Sequence, residues 1–268
     1  MSQEVEEKAQ QLMEETDSDS RTRTYTGVMD GIITVILVGF AVFQLWANLT
    51  GTLGAVKLRS AHVMILLPLA FLLYPTTKRE RRTRKWMPVW DVFLSIAAVF
   101  CFAYILRRYD ALARTGRLNS TDVWVGVGCL VLCFEAARRT SGNLAVIALV
   151  FLSYFAFWGR YVPGVFGTAA FPLKRVIKSL VWDTIGILGT GSGVSATYIF
   201  VFVLFGAFLK YSGFSQFIND ISLTLVGSSP GGPAKVSVIA SALMGMINGS
   251  AIANVATTGT ITDRKSVV

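Results

Sequence analysis

The chain has 268 residues, of which 53% are hydrophobic and 15% are charged, and its mean hydropathy is +0.56. Soluble domains carry about 25% charged residues, so this composition excludes an ordinary soluble protein and indicates a polytopic membrane protein. The net charge is +9, but residues 1–24 contribute −4. We interpret the basic surplus of the remainder as loop topology and not as a nucleic-acid surface.

Apolar runs of near-spanning length recur along the chain. Residues 1–24 are polar and acidic and lack the features of a secretory signal, so the first apolar run is predicted to stay as an anchor. The predicted spans are 28–47, 61–74, 88–106, 123–136, 144–158 and 195–209. Apolar and polar residues do not alternate over ~10-residue segments, which disfavours a β-barrel. The predicted fold is an all-α polytopic membrane protein with about six transmembrane helices.

The connections between these spans differ in basic charge. If the N-terminus is cytoplasmic, that side holds ten basic residues and the opposite side holds six. The ten are Arg21, Arg23, the six in 78–85, Arg138 and Arg139; the six are Lys57, Arg59, Arg107, Arg108, Arg114 and Arg117. The excess predicts a cytoplasmic N-terminus, with loops at 48–60 and 107–121 on the other side. The run 78–85 is also expected to contact anionic membrane lipids.

Two further segments, 171–183 and 213–226, are amphipathic and are predicted to be interfacial helices. The glycine-rich segment 186–193 follows no buried strand and precedes no lysine, so we interpret it as a flexible break and not as a phosphate-binding loop. The three cysteines, Cys101, Cys129 and Cys133, lie in apolar runs and are predicted to be buried thiols.

The segment 245–260 contains the candidate site. The apolar run 236–246 is about half of the ~20 residues that a spanning helix needs, and Asn248, Gly249 and Ser250 interrupt it. This pattern favours the first arm of a re-entrant helical hairpin, as in secondary transporters. The alternative is a loop between two ordinary helices, with small residues for close packing.

A half-helix that ends at mid-membrane presents unpaired carbonyls and the negative end of its dipole to a cation. Ser250, Asn254, Thr257 and Thr258 would add neutral oxygens suited to a monovalent ion. The alternative role of each is to join helices by hydrogen bonds.

Catalysis has little support in the sequence. His62 is the only histidine and is predicted to lie at the membrane interface, near the outer end of the second span. Asp91, Asp183 and Asp220 lie near span or helix ends, where carboxylates cost little, and do not form an acid–base pair. We predict no enzyme activity and no cofactor.

Several segments carry a resemblance to a known family. They are HVMILLPLAFLLYP (62–75), FEAARRTSG (134–142), YVPG (161–164), GVSATYIFVFVLFGAFL (193–209) and GGPAKVSVIASALMGMINGSAIANVATTGT (231–260). The chain resembles the fused permease of tripartite ATP-independent periplasmic (TRAP) transporters, and within these the TAXI-associated subgroup. In that subgroup a four-helix small subunit and a larger subunit share one chain.

The resemblance implies a domain order and a function. Residues 25–142 correspond to the small-subunit (DctQ-like) scaffold and residues 143–262 to the start of the large (DctM-like) transport part. The implied function is sodium-driven import of small carboxylate solutes across the bacterial or archaeal inner membrane, with a separate periplasmic solute-binding protein of TAXI type. The family's first hairpin corresponds to 235–260, which makes Ser250 and Asn254 the expected sodium contacts. Asn248 stands where the family usually has serine.

The end of the chain departs from this resemblance. After Thr262 come Asp263, Arg264, Lys265 and three more residues, and consecutive charges cannot continue a hairpin arm cheaply in lipid. We therefore expect residues 263–268 to be a non-native tail and the chain to be a fragment that is inactive alone. The alternative function is a structural membrane protein without a transport pathway of its own.

Overall fold

The structure of the chain, a computed structural model, describes residues 22–76, 83–84, 86–169 and 171–246. Within these residues the regular structure is helical, apart from two short parallel strands, β1 (Thr24–Tyr25) and β2 (Thr83–Arg84). The α-helices are α1 (Val28–Thr50), α2 (Ala55–Leu73), α3 (Val89–Thr115), α4 (Ser120–Ser141), α5 (Asn143–Ser153), α6 (Leu173–Ile177), α7 (Thr190–Val194), α8 (Phe200–Tyr211), α9 (Phe214–Val226) and α10 (Gly232–Gly245).

Three helices continue into a π-helical turn. The turn Tyr154–Trp158 follows α5 and leads into a short 3₁₀ turn, Gly159–Tyr161. The turn Lys178–Trp182 follows α6. The turn Ser195–Ile199 joins α7 to α8, so that these two helices form one longer helix.

Six helical stretches of the described residues are long and apolar enough to cross a membrane. They are Val28–Thr50, Ala55–Leu73, Val89–Thr115, Ser120–Ser141, Asn143–Tyr161 and Thr190–Leu209. Many large apolar side chains on them, such as Val35, Phe93 and Phe151, are more than half exposed, as expected where a helix faces lipid. The predicted fold class is confirmed.

The connections are shorter than predicted. The expected loop at 48–60 is wrong, because α2 already begins at Ala55, and the expected loop at 107–121 is wrong, because α3 continues to Thr115. Charged residues extend both helices, and Lys57 pairs with Asp110 at 2.7 Å between Nζ and Oδ2. Gly51 and Gly116 end the preceding helices with φ of 59° and 65°, a left-handed conformation that glycine adopts without strain.

The chain divides into two compact units, residues 14–197 and residues 198–268 with 1–13. In the first unit, α2, α3, α4 and the turn after α6 surround one apolar core. Phe71, Phe102, Ile105, Cys129 and Trp182 are almost completely buried in it. Cys101 and Cys133 are only partly buried, so the prediction of buried thiols holds fully for Cys129 alone.

The helix predicted to lie at the interface over 171–183 also packs against protein. Ile177, Val181 and Trp182 are at most 2% exposed, and the indole Nε1 of Trp182 donates to the carbonyl of Asp122 at 3.3 Å. Gly126 on α4 makes this approach possible, because a Cβ at that position would overlap Ile177 Cγ2. The apolar face of the segment is therefore part of the core.

A buried ion-pair network joins the start of the described chain to α3 and α4. Asp91 lies in the first turn of α3, as predicted, but it is 1% exposed, so the expectation that a carboxylate costs little there is wrong. Its Oδ2 accepts from Arg23 Nη1 at 2.5 Å and its Oδ1 accepts from Arg139 Nη1 at 2.8 Å. Glu135 Oε1 accepts from Arg139 Nε at 2.8 Å. Residues 22–25 are thus held against α2, α3 and α4, since Arg23 also donates to the carbonyls of Phe71 and Leu72.

Candidate functional site

The predicted ion site lies outside the described residues. This holds for Asn248, Gly249, Ser250, Asn254, Thr257 and Thr258. The structure does describe the elements that lead into it, α9 and α10, which belong to the second unit. The site itself therefore stays a prediction, and the geometry that bears on it is that of these two helices.

The helix α10 is short for a membrane span. It has 14 residues, which is about 21 Å at ~1.5 Å per residue, whereas the hydrocarbon core is ~30 Å thick. Gly231, with φ of 72°, and Pro233 in the first turn start the helix, and Met246 caps it. A helix of this length that stops just before Asn248 fits the predicted hairpin arm.

Helices α9 and α10 pack against each other. The connection between them runs only from 227 to 231, which makes neighbouring helices antiparallel. Ile218 on α9 meets Ala240 and Met244 on α10 in a small buried cluster, with Phe214 and Leu243 at its edge. The N-terminal half of α9 therefore lies beside the C-terminal half of α10, the end that precedes Asn248. The helix predicted over 213–226 is present as α9, with one face covered by α10, and its interfacial position stays a prediction.

One buried polar atom in this helix pair has no hydrogen-bond partner among the described residues. The side-chain oxygen Oδ1 of Asn219 is buried and accepts no hydrogen bond from the part of the chain that the structure describes. By contrast, the buried hydroxyl of Ser222 donates to the carbonyl of Ile218 at 2.8 Å. A buried acceptor without a donor costs about 1–3 kcal/mol. Sequence reasoning missed Asn219. What marks this residue is an amide in the half of α9 that lies beside the end of α10, and that position is visible only in the structure.

A second polar cluster lies in the first unit, inside the candidate spans. The prediction that His62 is an interface residue is wrong, because this side chain is packed within the protein and the residue is 2% exposed. Its Nδ1 lies 3.2 Å from Gln44 Oε1 and its Nε2 lies 3.1 Å from Ser195 Oγ. The amide Nε2 of Gln44 donates to the carbonyl of Ala196, and Asn48 Nδ2 donates to the same oxygen at 3.0 Å.

These contacts fix the direction of each hydrogen bond. Gln44 donates through its nitrogen to Ala196, so its oxygen must accept from the Nδ1–H of His62. Nε2 of a neutral His62 then accepts a hydrogen bond from the hydroxyl of Ser195. The polar chain runs from Ser195 through His62 and Gln44 to the backbone of Ala196. Gln44 and Asn48, spaced i, i+4 in an apolar run, are the sequence signal for this cluster.

The cluster is not a hydrolytic site. A serine next to a histidine matches the order of a nucleophile and its base, but the third group here is an amide. A neutral amide cannot stabilise an imidazolium as a carboxylate does. Among the described residues no group of three or more His, Cys, Asp or Glu is placed to hold a metal ion. The geometry supports a packing role between α1, α2 and the Ser195–Ile199 turn.

The buried carboxylate of Asp122, in the first turn of α4, also serves packing. Asp122 accepts from Tyr104 Oη at 2.7 Å and from the backbone N–H of Asn119 at 2.8 Å, and it pairs with Arg108 at 3.4 Å. The bond from Asn119 belongs to a capping box at the start of α4. The polar groups of Asp122 are thus used within the fold.

Comparison with known families gives one match. The family model described as "Tripartite ATP-independent periplasmic transporter, DctM component" matches residues 128–265, just over half of the chain. The matched segment begins inside α4, includes α5 to α10 and extends over the predicted site residues. No match was found among the curated proteins or among the solved structures.

Proposed function

Because the chain belongs to the DctM component family of tripartite ATP-independent periplasmic transporters, we propose that it is part of a sodium-coupled permease for small carboxylate solutes. Members of this family are multi-pass transport proteins of the prokaryotic inner membrane and are not enzymes. They work with a periplasmic solute-binding protein. The family match across the segment that contains Asn248, Gly249 and Ser250 is the observation that carries the proposal.

The proposed ion site is the turn that follows α10. The short helix α10, packed against α9, supports a first hairpin arm that stops within the membrane. Carbonyls at its C-terminal end, together with Ser250 and Asn254, would contact sodium, with Thr257 and Thr258 nearby. The buried oxygen of Asn219, which accepts no hydrogen bond from the described residues, lies in the half of α9 beside this end and would add a neutral acceptor of the same type.

The solute and its delivery are proposed from the resemblance. The solute is a small organic acid, and the partner is a periplasmic binding protein of TAXI type. We further propose a fused architecture, with residues 25–142 as the small-subunit part and 143–262 as the beginning of the large part. The end of α4 at Ser141 and the left-handed Gly142, with φ of 59°, are compatible with a boundary there. The family match starts earlier, at residue 128.

A thermal unfolding assay on the purified chain tests the ion site without knowledge of the solute. A ligand that binds only the folded state stabilises it by RT ln(1 + [L]/Kd), about 1.4 kcal/mol at tenfold Kd. Sodium chloride, compared with choline chloride at equal ionic strength, should raise the melting temperature. Ser250→Ala and Asn254→Ala should remove this increase in melting temperature. Ser237→Ala is the control and should keep the increase, because the Ser237 hydroxyl is exposed on α10 and donates to the carbonyl of Ala234.

The alternative is a scaffold protein without its own transport pathway. Uptake of labelled carboxylates into proteoliposomes that contain the complete permease, of which the chain is proposed to be part, together with its binding protein separates the two functions. Sodium-dependent uptake that Ser250→Ala or Asn254→Ala abolishes supports transport through this site. Unchanged uptake in both variants would remove these residues from the ion pathway.

A further inference from the structure

A groove runs along one side of α3 in the first unit, and α1 and α2 form its other walls. Its volume is about 600 Å³. Leu72 of α2 and Ser95 of α3 line it and are at most 8% exposed, whereas Ile36 of α1 and Phe100 of α3 line it and are exposed. The groove is therefore a concave surface with a buried floor and exposed rims, which distinguishes it from the outward faces of single spans.

The interior of the groove is apolar. Its two hydroxyl groups are used within the protein, because Ser95 Oγ donates to the carbonyl of Asp91 at 2.7 Å and Tyr104 Oη donates to Asp122 Oδ1 at 2.7 Å. Pro68, which also lines the groove, has no N–H to donate. A hydrocarbon chain is the ligand that such a surface accepts, since its burial leaves no polar group without a partner.

The length of the groove suits one lipid chain. Between Val92 and Arg107 it follows 15 residues of α3, which is about 22 Å at ~1.5 Å per residue. One leaflet provides about half of the ~30 Å hydrocarbon core. Arg107 is the first charged residue of α3 after Asp91, so a chain that starts at Arg107 stays within the apolar part of the helix.

Arg107 places a positive charge at one end of the groove. It lines the groove, is exposed and forms no hydrogen bond or ion pair with the residues that the structure describes. Two carboxylates of the same region already have partners, because Asp110 pairs with Lys57 and Asp122 pairs with Arg108. The charge of Arg107 is thus available to an anion, and a guanidinium binds a phosphate through paired hydrogen bonds.

We propose that this groove binds an anionic phospholipid of the membrane, with one acyl chain between α1, α2 and α3 and the phosphate on Arg107. The chain fits the apolar interior, and the negative headgroup complements the unpaired guanidinium. The proposal goes beyond the proposed function and does not depend on sodium or on the solute. Its failure would leave the ion site untouched, and failure of the ion site would leave the lipid site untouched.

Native mass spectrometry of the purified, delipidated chain tests the headgroup end of the site. The chain is titrated with dioleoyl phosphatidylglycerol, which is anionic, or with dioleoyl phosphatidylcholine, which is not. The parent chain should prefer the anionic lipid, and Arg107→Gln should reduce this preference about fivefold, since one basic residue near an anionic lipid contributes about that factor. Arg114→Gln is the matched control, because Arg114 is exposed on the same helix but does not line the groove. Equal preferences in the two variants would overturn the proposal.

A bulky side chain in the groove tests the acyl-chain end. Val99→Trp should weaken the binding of both lipids about tenfold, because the indole takes space that the chain would fill. Val35→Trp, at an exposed position of α1 outside the groove, should leave both affinities unchanged. If Val99→Trp does not fold, Ala103→Leu serves instead. Unchanged binding of both lipids in the folded variant would overturn the proposal. A dimer of the parent chain that this variant dissociates, with lipid binding unchanged, would assign the groove to a second copy and would also overturn it.

Discussion

Asp91 on α3 and Arg139 on α4 form an ion pair of 2.8 Å with both side chains at most 2% exposed. Arg23 reaches the other oxygen of the same carboxylate. Two guanidinium groups thus share one buried acid, and Glu135 provides the second negative charge. The arrangement joins three segments that are far apart in sequence, residues 22–25, α3 and α4.

Removal of the shared acid should strongly destabilise the first unit. Asp91→Asn leaves two arginines without their common counter-charge, and breaking a buried pair costs about 3–5 kcal/mol. The free energy of unfolding in detergent micelles measures the loss. Asp110→Asn is the matched control, because its pair with Lys57 is exposed and such pairs contribute below about 1 kcal/mol. Similar losses in the two variants would show that Asp91 is not the centre of the network.

Gly126 is predicted to be intolerant of even one methyl group. Gly126→Ala sets a Cβ against the buried, branched Ile177 and should push the turn after α6 away from α4, at a cost of about 1–3 kcal/mol. Gly128→Ala, two positions further along the same helix, meets only Cys101 Sγ at 3.4 Å. It should be neutral or slightly stabilising, since alanine favours helices over glycine by about 1 kcal/mol. Thermal unfolding of both variants measures the difference, and equal effects would contradict the prediction.

Substitution of Asn219 should raise the stability of the sodium-free protein and lower the stabilisation that sodium provides. Asn219→Leu removes a buried oxygen that lacks a donor among the described residues, so the sodium-free protein should gain up to about 1 kcal/mol. If the oxygen contacts the ion, the stabilisation by sodium should fall in the same variant. Ser222→Ala, whose hydroxyl bonds within its own helix, should keep the full sodium response. A full sodium response in Asn219→Leu would exclude this residue from the ion site.

The charged residues at the two ends of the helices allow a test of the predicted orientation. Arg23, Asp91 and Arg139 meet at one end, and Lys57 and Asp110 meet at the other. We expect the end with Arg23 to be cytoplasmic. In a cysteine-free background, Arg117→Cys should react with a membrane-impermeant maleimide in intact cells, and Ser141→Cys only after permeabilisation. The reverse labelling pattern would invert the topology.

The number and approximate position of the membrane spans could be predicted from the amino-acid sequence alone. Apolar length is a local property, and a run that is too hydrophobic for water forms a helix whatever its neighbours are, because only helices satisfy its backbone in lipid. The short helix α10 could be predicted in the same way, because the apolar run of the sequence ends before Asn248. The family resemblance likewise rested on contiguous segments. Helix ends were less accurate: Lys57 and Arg107 look like loop residues, yet they lie within α2 and α3.

The partners of the buried polar residues could not be predicted from the sequence and became clear only from the packed helices. Gln44 and His62 are 18 positions apart, His62 and Ser195 are 133 apart, and Asp91 and Arg139 are 48 apart. A histidine or an aspartate in an apolar span has the same sequence signal whether it faces solvent or a partner. The rotation of each helix about its axis settles the difference, and it depends on all contacts together, including the space that Gly126 leaves for Ile177. Pairing is a property of the packed helices, whereas hydrophobic length belongs to each segment alone.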